Sequence, residues 1–264
     1  MSKQIHSLYG RKVGVDSSGA LVVPGGVVSG RGRGMSAGDA SRVVLFDDFL
    51  GDAIDARWNV VLGSDASSNV ASGAVVAGAA GGVLRLAAAD SAGTMVADGA
   101  QITSFLNWKA ANGSLVFEAR VALAEITNVS AFIGFTGVIT LEAPIISAAS
   151  ADTLTTNATD AVGFMFDTAM AADTWWLTGV ANNVDATAQN TGIAPVAATY
   201  ETLRVELTAT GEALFYRNGA LVGTQMTGAV TPSVALTPTL GLFPRTAAFG
   251  KQLDVDYVYA AMTR

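Results

Sequence analysis

The chain reads as an all-β protein of antiparallel strands, and three observations carry that reading. From position 43 onward, short runs of β-branched and aromatic residues recur between clusters of Gly, Asn, Asp, Ser and Thr, a spacing typical of a sandwich or barrel. Several runs alternate apolar and polar residues with the two-residue period of a strand wet on one face. The clearest are Leu203-Arg204-Val205-Glu206-Leu207 and Val255-Asp256-Tyr257-Val258-Tyr259. Nowhere does a 3.6-residue apolar pattern sustain a helix of about ten residues.

The elements follow in order. Residues 1–42 form a leader with nine glycines, too much backbone entropy for a compact fold of its own. Its one ordered piece is a hairpin over 13–23, where Asp16-Ser17-Ser18-Gly19 supplies the turn. The body, 43–264, carries strands expected near 43–49, 58–62, 83–87, 102–108, 115–123, 131–136, 162–167, 175–180, 202–208, 213–217, 221–224, 239–243 and 253–260. Arg217-Asn218-Gly219-Ala220 marks a tight hairpin, because Asn-Gly accepts the positive φ angles of a type I′ turn. The stretches 142–160 and 181–200 read as long loops, common places for binding surfaces.

Composition narrows the chemistry. The chain has no cysteine and one histidine, His6, within the leader. Without imidazole or thiolate, the body lacks Ser-His-Asp and Cys-His catalysis, His-ligated metals, cysteine-ligated zinc and iron–sulfur clusters. Carboxylates and a few Lys, Arg and Tyr remain. Charged residues are 14% of the chain, against about 25% in ordinary globular proteins; either other protein covers part of the surface, or the composition is simply rich in Ala and Gly. The charge is uneven. Residues 1–42 hold six basic and two acidic side chains, a net of +4. The rest holds nine basic and twenty acidic, a net of −11. A basic leader seeks an acidic partner, and an acidic body repels nucleic acid. Gly30-Arg31-Gly32-Arg33-Gly34 resembles an RGG-type element but is short, so a flexible arm that orders against another protein is the reading preferred. The first residues show no apolar signal segment, and no run of about eighteen apolar residues spans a membrane. Synthesis in a cytoplasm is therefore expected.

Three segments together resemble the concanavalin A-like lectin/glucanase superfamily. They are Phe46-Asp47-Asp48-Phe49 running on to Trp58, then Leu203-Arg204-Val205-Glu206 leading into Phe215-Tyr216-Arg217-Asn218-Gly219, and last Leu253 to Tyr259. The resemblance implies an antiparallel two-sheet jelly-roll sandwich. Glycoside hydrolases of that superfamily place two Glu and an Asp at alternate positions of one strand. The nearest candidates here, Glu118-Ala119-Arg120 and Asp254-Val255-Asp256, do not form that triple, so the expectation is a protein that is not an enzyme. The lectins' cation ligands have conceivable counterparts in Asn182, Asn183 and Asp185 or in Asp65 and Asn69, but no calcium spacing is evident. No cofactor or metal is implied.

The basic leader ahead of such a body also resembles structural proteins of tailed-phage virions. That resemblance implies a capsid decoration or cement protein on the virion surface, with the major capsid protein or other virion proteins as partners and homo-oligomers on the particle. Lys3, Tyr9, Arg11, Lys12, Arg31 and Arg33 would contact the partner. The alternative is a carbohydrate-binding fibre or spike module for a host glycan. Trp175 and Trp176 are adjacent, so on a strand they point to opposite faces. One belongs to the core; the other stacks on a sugar, anchors an interface, or is covered by loops of its own chain. Of Asp47 and Asp48, one is expected to cap a turn.

Overall fold

The structure, a computed structural model, describes residues 41–64, 71–89, 95–139, 143–151, 153–246 and 251–264, together with three strand backbones in the leader. The chain divides into two compact units, Met1–Ser41 and Arg42–Arg264. In the first, β1 (Ile5–His6), β2 (Lys12–Val15) and β3 (Leu21–Val22) form a three-stranded sheet. The expected hairpin is there, with Gly14 opposite Val22 and Val15 opposite Leu21. Strand β1, absent from the sequence reading, adds to β2 with His6 opposite Lys12.

The second unit is the antiparallel two-sheet sandwich. Sheet one runs β19 (Ala220–Met226), β18 (Ala213–Arg217), β17 (Glu201–Leu207), β9 (Leu115–Leu123), β21 (Gln252–Thr263), β7 (Leu84–Ala87) and β6 (Ser72–Val75), and β4 (Arg42–Asp47) also pairs with β21. Sheet two runs β15 (Val184–Asp185), β14 (Trp175–Ala181), β13 (Ala161–Asp167), β10 (Val129–Thr136), β20 (Thr237–Pro244), β8 (Ala100–Thr103) and β5 (Asn59–Leu62), and β16 (Gln189–Asn190) pairs with β14. The only described helix of α type is one turn, Met95–Asp98.

The alternation in the sequence builds the core between the sheets. In β17, Leu203, Val205 and Leu207 are buried while Thr202, Arg204 and Glu206 are half-buried on the outer face. Strand β9 sends Leu115, Phe117, Ala119, Val121 and Leu123 into the same core. Aromatic rings stitch the two layers edge to face. Phe117 of sheet one meets Phe135 of sheet two at 5.6 Å, and Phe164 of sheet two meets Phe215 of sheet one at 5.5 Å. Each such pair adds about 0.5–1.5 kcal/mol of contact energy beyond the area it buries.

Three turns show how sequence sets local geometry. Asn218 and Gly219 have φ of 49° and 80° and join Arg217 to Ala220, as the hairpin signal requires. Asp47 caps the bend after β4: its Oδ1 accepts the Phe49 N–H at 2.9 Å and its Oδ2 accepts the Trp58 indole N–H at 2.7 Å. At the β19 end, the Gln189 side chain accepts the Thr224 N–H at 2.8 Å and donates to the Thr224 carbonyl at 3.2 Å. Gly223 beside it has φ +67°, and a Cβ there would stand 2.4 Å from Leu177 Cδ1.

Two loop readings are corrected. Within 142–160, β11 (Ile146–Ser150) and β12 (Thr153–Thr156) form a hairpin. Ile145, Ile146 and Ala148 pack against Phe132, Met165 and Met170 on the outer face of sheet two. The strands hide in the sequence because Ala, Ser and Thr make weak alternation. The segment 181–200 contains β15 and β16, which extend sheet two.

The hairpin is held by a buried ion pair. Asp167, fully buried, accepts from Arg245 Nε at 2.7 Å, from its Nη2, and from the backbone N–H groups of Ala148 and Ala169. Arg245 Nη2 also donates to the Ala148 carbonyl at 2.7 Å. Removing one member strands the other in low dielectric. Arg245→Met is therefore expected to cost about 3 kcal/mol in chemical denaturation, the usual loss on breaking a buried pair, and to raise hydrogen exchange in β11 before β9.

Candidate functional site

The two adjacent tryptophans do point to opposite faces. Trp175 is fully buried between the sheets, where its indole N–H donates to Glu201 Oε1 at 2.8 Å and Glu201 in turn pairs with Arg217. Trp176 stands half-buried on the outer face of sheet two. Its indole N–H donates to the Ala172 carbonyl at 3.1 Å, which fixes the ring in plane and position. Trp176 lines a groove of about 470 Å³ with Thr153 and Leu154 of the hairpin, Met170, and the run from Asp185 to Ala188. Asp185 Oδ1 accepts from the Thr156 hydroxyl at 2.7 Å and ties β12 to β15 beside the groove. The site thus has an aromatic wall, apolar Met and Leu surface, and a carboxylate among hydroxyl and backbone groups. Concave sites of this size and composition bind small organic groups.

The outer face of sheet one carries the second cluster. Arg85 donates to both carboxylate oxygens of Asp254, at 2.7 and 2.8 Å, and Arg120 Nη1 donates to Asp256 at 2.6 Å. Asp256 occupies a bulge in β21, between Val255 opposite Val121 and Tyr257 opposite Arg120. Arg204 lies between Glu118, at 3.6 Å, and Glu206. Arg120 stacks 4.5 Å over the Tyr200 ring. A small pocket of about 250 Å³ lies among Glu118, Arg204, Glu206 and Tyr216. Glu118 and Arg120 share a face, as the sequence implies, but each finds its partner on a different strand.

The remaining sequence candidates fall as follows. Lys3, Tyr9, Arg11, Arg31 and Arg33, and the pair Asp65 and Asn69, lie outside the described residues; of Lys12 only the β2 backbone is described. Asn182 and Asn183, with φ of 50° and 63°, form the two-residue turn between β14 and β15, which accounts for both without a cation. Among the described residues no cluster of three His, Cys, Asp or Glu has metal-binding geometry. Sequence reasoning missed the groove lining of Thr153, Leu154 and Met170, because that lining depends on a hairpin with little alternation to betray it; Asp185, named there only as a conceivable cation ligand, lines the groove instead.

With the geometry established, comparison places the fold. It is the jelly roll of concanavalin A-like lectins and glycoside hydrolases. A β-glucanase of Bacillus licheniformis superposes with a TM-score of 0.53 at 13% identity, covering 82% of this chain and 97% of the enzyme. A family 16 glycosyl hydrolase of Mycobacterium smegmatis gives 0.54 at 14%, covering 82% and 98%. The carbohydrate recognition domain of Emp47p gives 0.55 at 11%, covering 83% and 94%. No family model matches the sequence, and no curated protein does. These structures correct the expectation that the chain is not an enzyme. Glycoside hydrolases are built on this sandwich, so the absent acidic triple does not exclude catalysis from other carboxylates. Nothing in the comparisons speaks to a phage origin.

One ionisation is open to direct test. The Tyr257 hydroxyl donates to Glu118 Oε1 at 2.8 Å. Burial, and then that bond to an anion, push its pKa above the ordinary tyrosine value of 10.0. An acid whose pKa rises on folding stabilises the fold fully below its unfolded pKa and loses that contribution as pH climbs through the folded one. Stability should therefore fall above about pH 10. In Tyr257→Phe the slope of denaturation free energy against pH in that window should be shallower, and one of the phenolates that appear above the ordinary tyrosine range by absorbance should be missing.

Proposed function

We propose that this protein recognises carbohydrate and that the groove beside Trp176 receives the sugar. The observation that carries the reading is the pinned, half-buried indole beside the Asp185 carboxylate in a groove of about 470 Å³. A pyranose ring offers an apolar face of C–H groups to an aromatic surface and a rim of hydroxyls to carboxylate and threonine oxygens. Support also comes from the shared sandwich of a domain whose name states carbohydrate recognition. In a glycan array followed by calorimetry, Trp176→Ala should weaken binding by about tenfold, the factor that ~1.4 kcal/mol of lost stacking produces. Unchanged affinity in that variant overturns the assignment of the groove. Release of reducing ends from a bound polysaccharide, measured alongside, would extend the function to hydrolysis.

The leader supports a second, separable role. Its net charge of +4 against −11 for the remainder fits a segment that docks on an acidic protein surface. A virion capsid is the case that the sequence resemblance implies, with Lys3, Tyr9, Arg11, Lys12, Arg31 and Arg33 as contacts. Deletion of residues 1–42 should abolish co-sedimentation with particles while the body keeps its β-sheet circular dichroism. Retained co-sedimentation would remove the leader from that role.

A further inference from the structure

We infer that the sugar received beside Trp176 carries a protonated amino group, as a glucosamine unit does when its nitrogen bears no acetyl. The inference rests on the reading of the groove as a sugar site and names the class of sugar. Its first ground is charge. Residues 121–203 hold eight acidic side chains and no Lys, Arg or His. That stretch contains β10 to β16 and the described lining of the groove. Strands β5, β8 and β20, which complete sheet two, carry no charged side chain. Arg245 reaches the layer from beyond β20, and it is paired with the buried Asp167. Asp185 is exposed, and none of the ion pairs among the described residues includes it. The groove therefore presents a negative charge to its ligand.

The second ground is the balance of hydrogen-bonding groups. Among the lining side chains Asp185 only accepts, the Thr153 and Thr187 hydroxyls donate and accept, and the Met170 sulfur accepts weakly. The Trp176 indole N–H is already given to the Ala172 carbonyl. The Thr156 hydroxyl takes one of the roughly four acceptor sites of the Asp185 carboxylate. An ammonium has three donors and no acceptor, so it complements this lining. Its charge is drawn to the indole face as well as to the carboxylate. An N-acetyl carbonyl needs a donor that these side chains offer only through threonine. A uronate sets an anion against Asp185.

Calorimetry of the full chain tests this with linear tetramers of glucosamine, N-acetylglucosamine and glucose, and with tetralysine as a cation that has no sugar ring. The glucosamine tetramer should bind at least about tenfold tighter than the others, the factor expected of one charge-assisted hydrogen bond. Asp185→Asn keeps an acceptor for Thr156 and should erase that preference. Glu212→Gln, in the turn between β17 and β18 of sheet one, also removes one negative charge and should leave the preference intact. Equal affinity for the three sugars, weakened by Trp176→Ala, overturns the amine and leaves the groove a sugar site. A glucosamine preference that survives Asp185→Asn overturns it as well, because the acidic body at large then attracts the cation. Tetralysine bound as tightly as the glucosamine tetramer makes the groove a reader of charge alone and removes the sugar from both readings. Binding of none of the three sugars removes the sugar site itself.

Discussion

Strand β21 is the constraint on which sheet one depends. Its twelve residues pair with β9 along one side, and on the other side with β7 through its first third and β4 through its second half. Three strands from the first half of the body, β4, β7 and β9, are thus locked by one segment far downstream in the chain. The pairings are almost all long-range, which makes such a topology slow to assemble and cooperative once assembled. The bulge at Asp256 lets the strand keep Leu253, Val255, Val258 and Ala260 in the core while a carboxylate is added to the outer face.

Much of this was legible in the residues. Leu203 to Leu207 alternates cleanly because one face meets the core and the other meets water, and both it and the expected strand at 115–123 are strands at those positions. Asn218-Gly219 announced its turn for a steric reason that holds in any context. The covering hairpin at Ile146–Thr156 was illegible: its inward residues include only Ile, Ala and a half-buried Leu, and its partner face was unknown until β10 and β13 were in place. The groove inherits that difficulty, since Trp176 could be assigned an outward face but not a neighbour. The Asp167–Arg245 pair spans 78 positions and has no local signature at all.

The two outer faces of the sandwich differ in kind. On the middle strands of sheet one, arginines and carboxylates pair across strands, while Val44, Phe46 and Leu221 leave apolar surface on β4 and β19. Exposed pairs of this type add little stability each. On sheet two, an apolar second layer covers the strands, and the buried Asp167 anchors it from beneath. The groove lies at the margin of that layer over β14, where Val180 is buried in the layer and Trp176 packs against it half-buried. Rigidity of the indole comes from Ala172, in the turn before β14, rather than from the hairpin, so the aromatic wall stays in place if the hairpin shifts.

Gln189 gives sheet one a direction of growth. A ribbon with two bare margins can add copies without limit, whereas its amide already occupies the N–H and C=O of Thr224 at the β19 margin. Accretion on that side meets a side chain posing as a neighbouring strand. At the opposite end of the strand order, β6 pairs with β7 alone among the described strands, so the template for a further strand lies there rather than at β19.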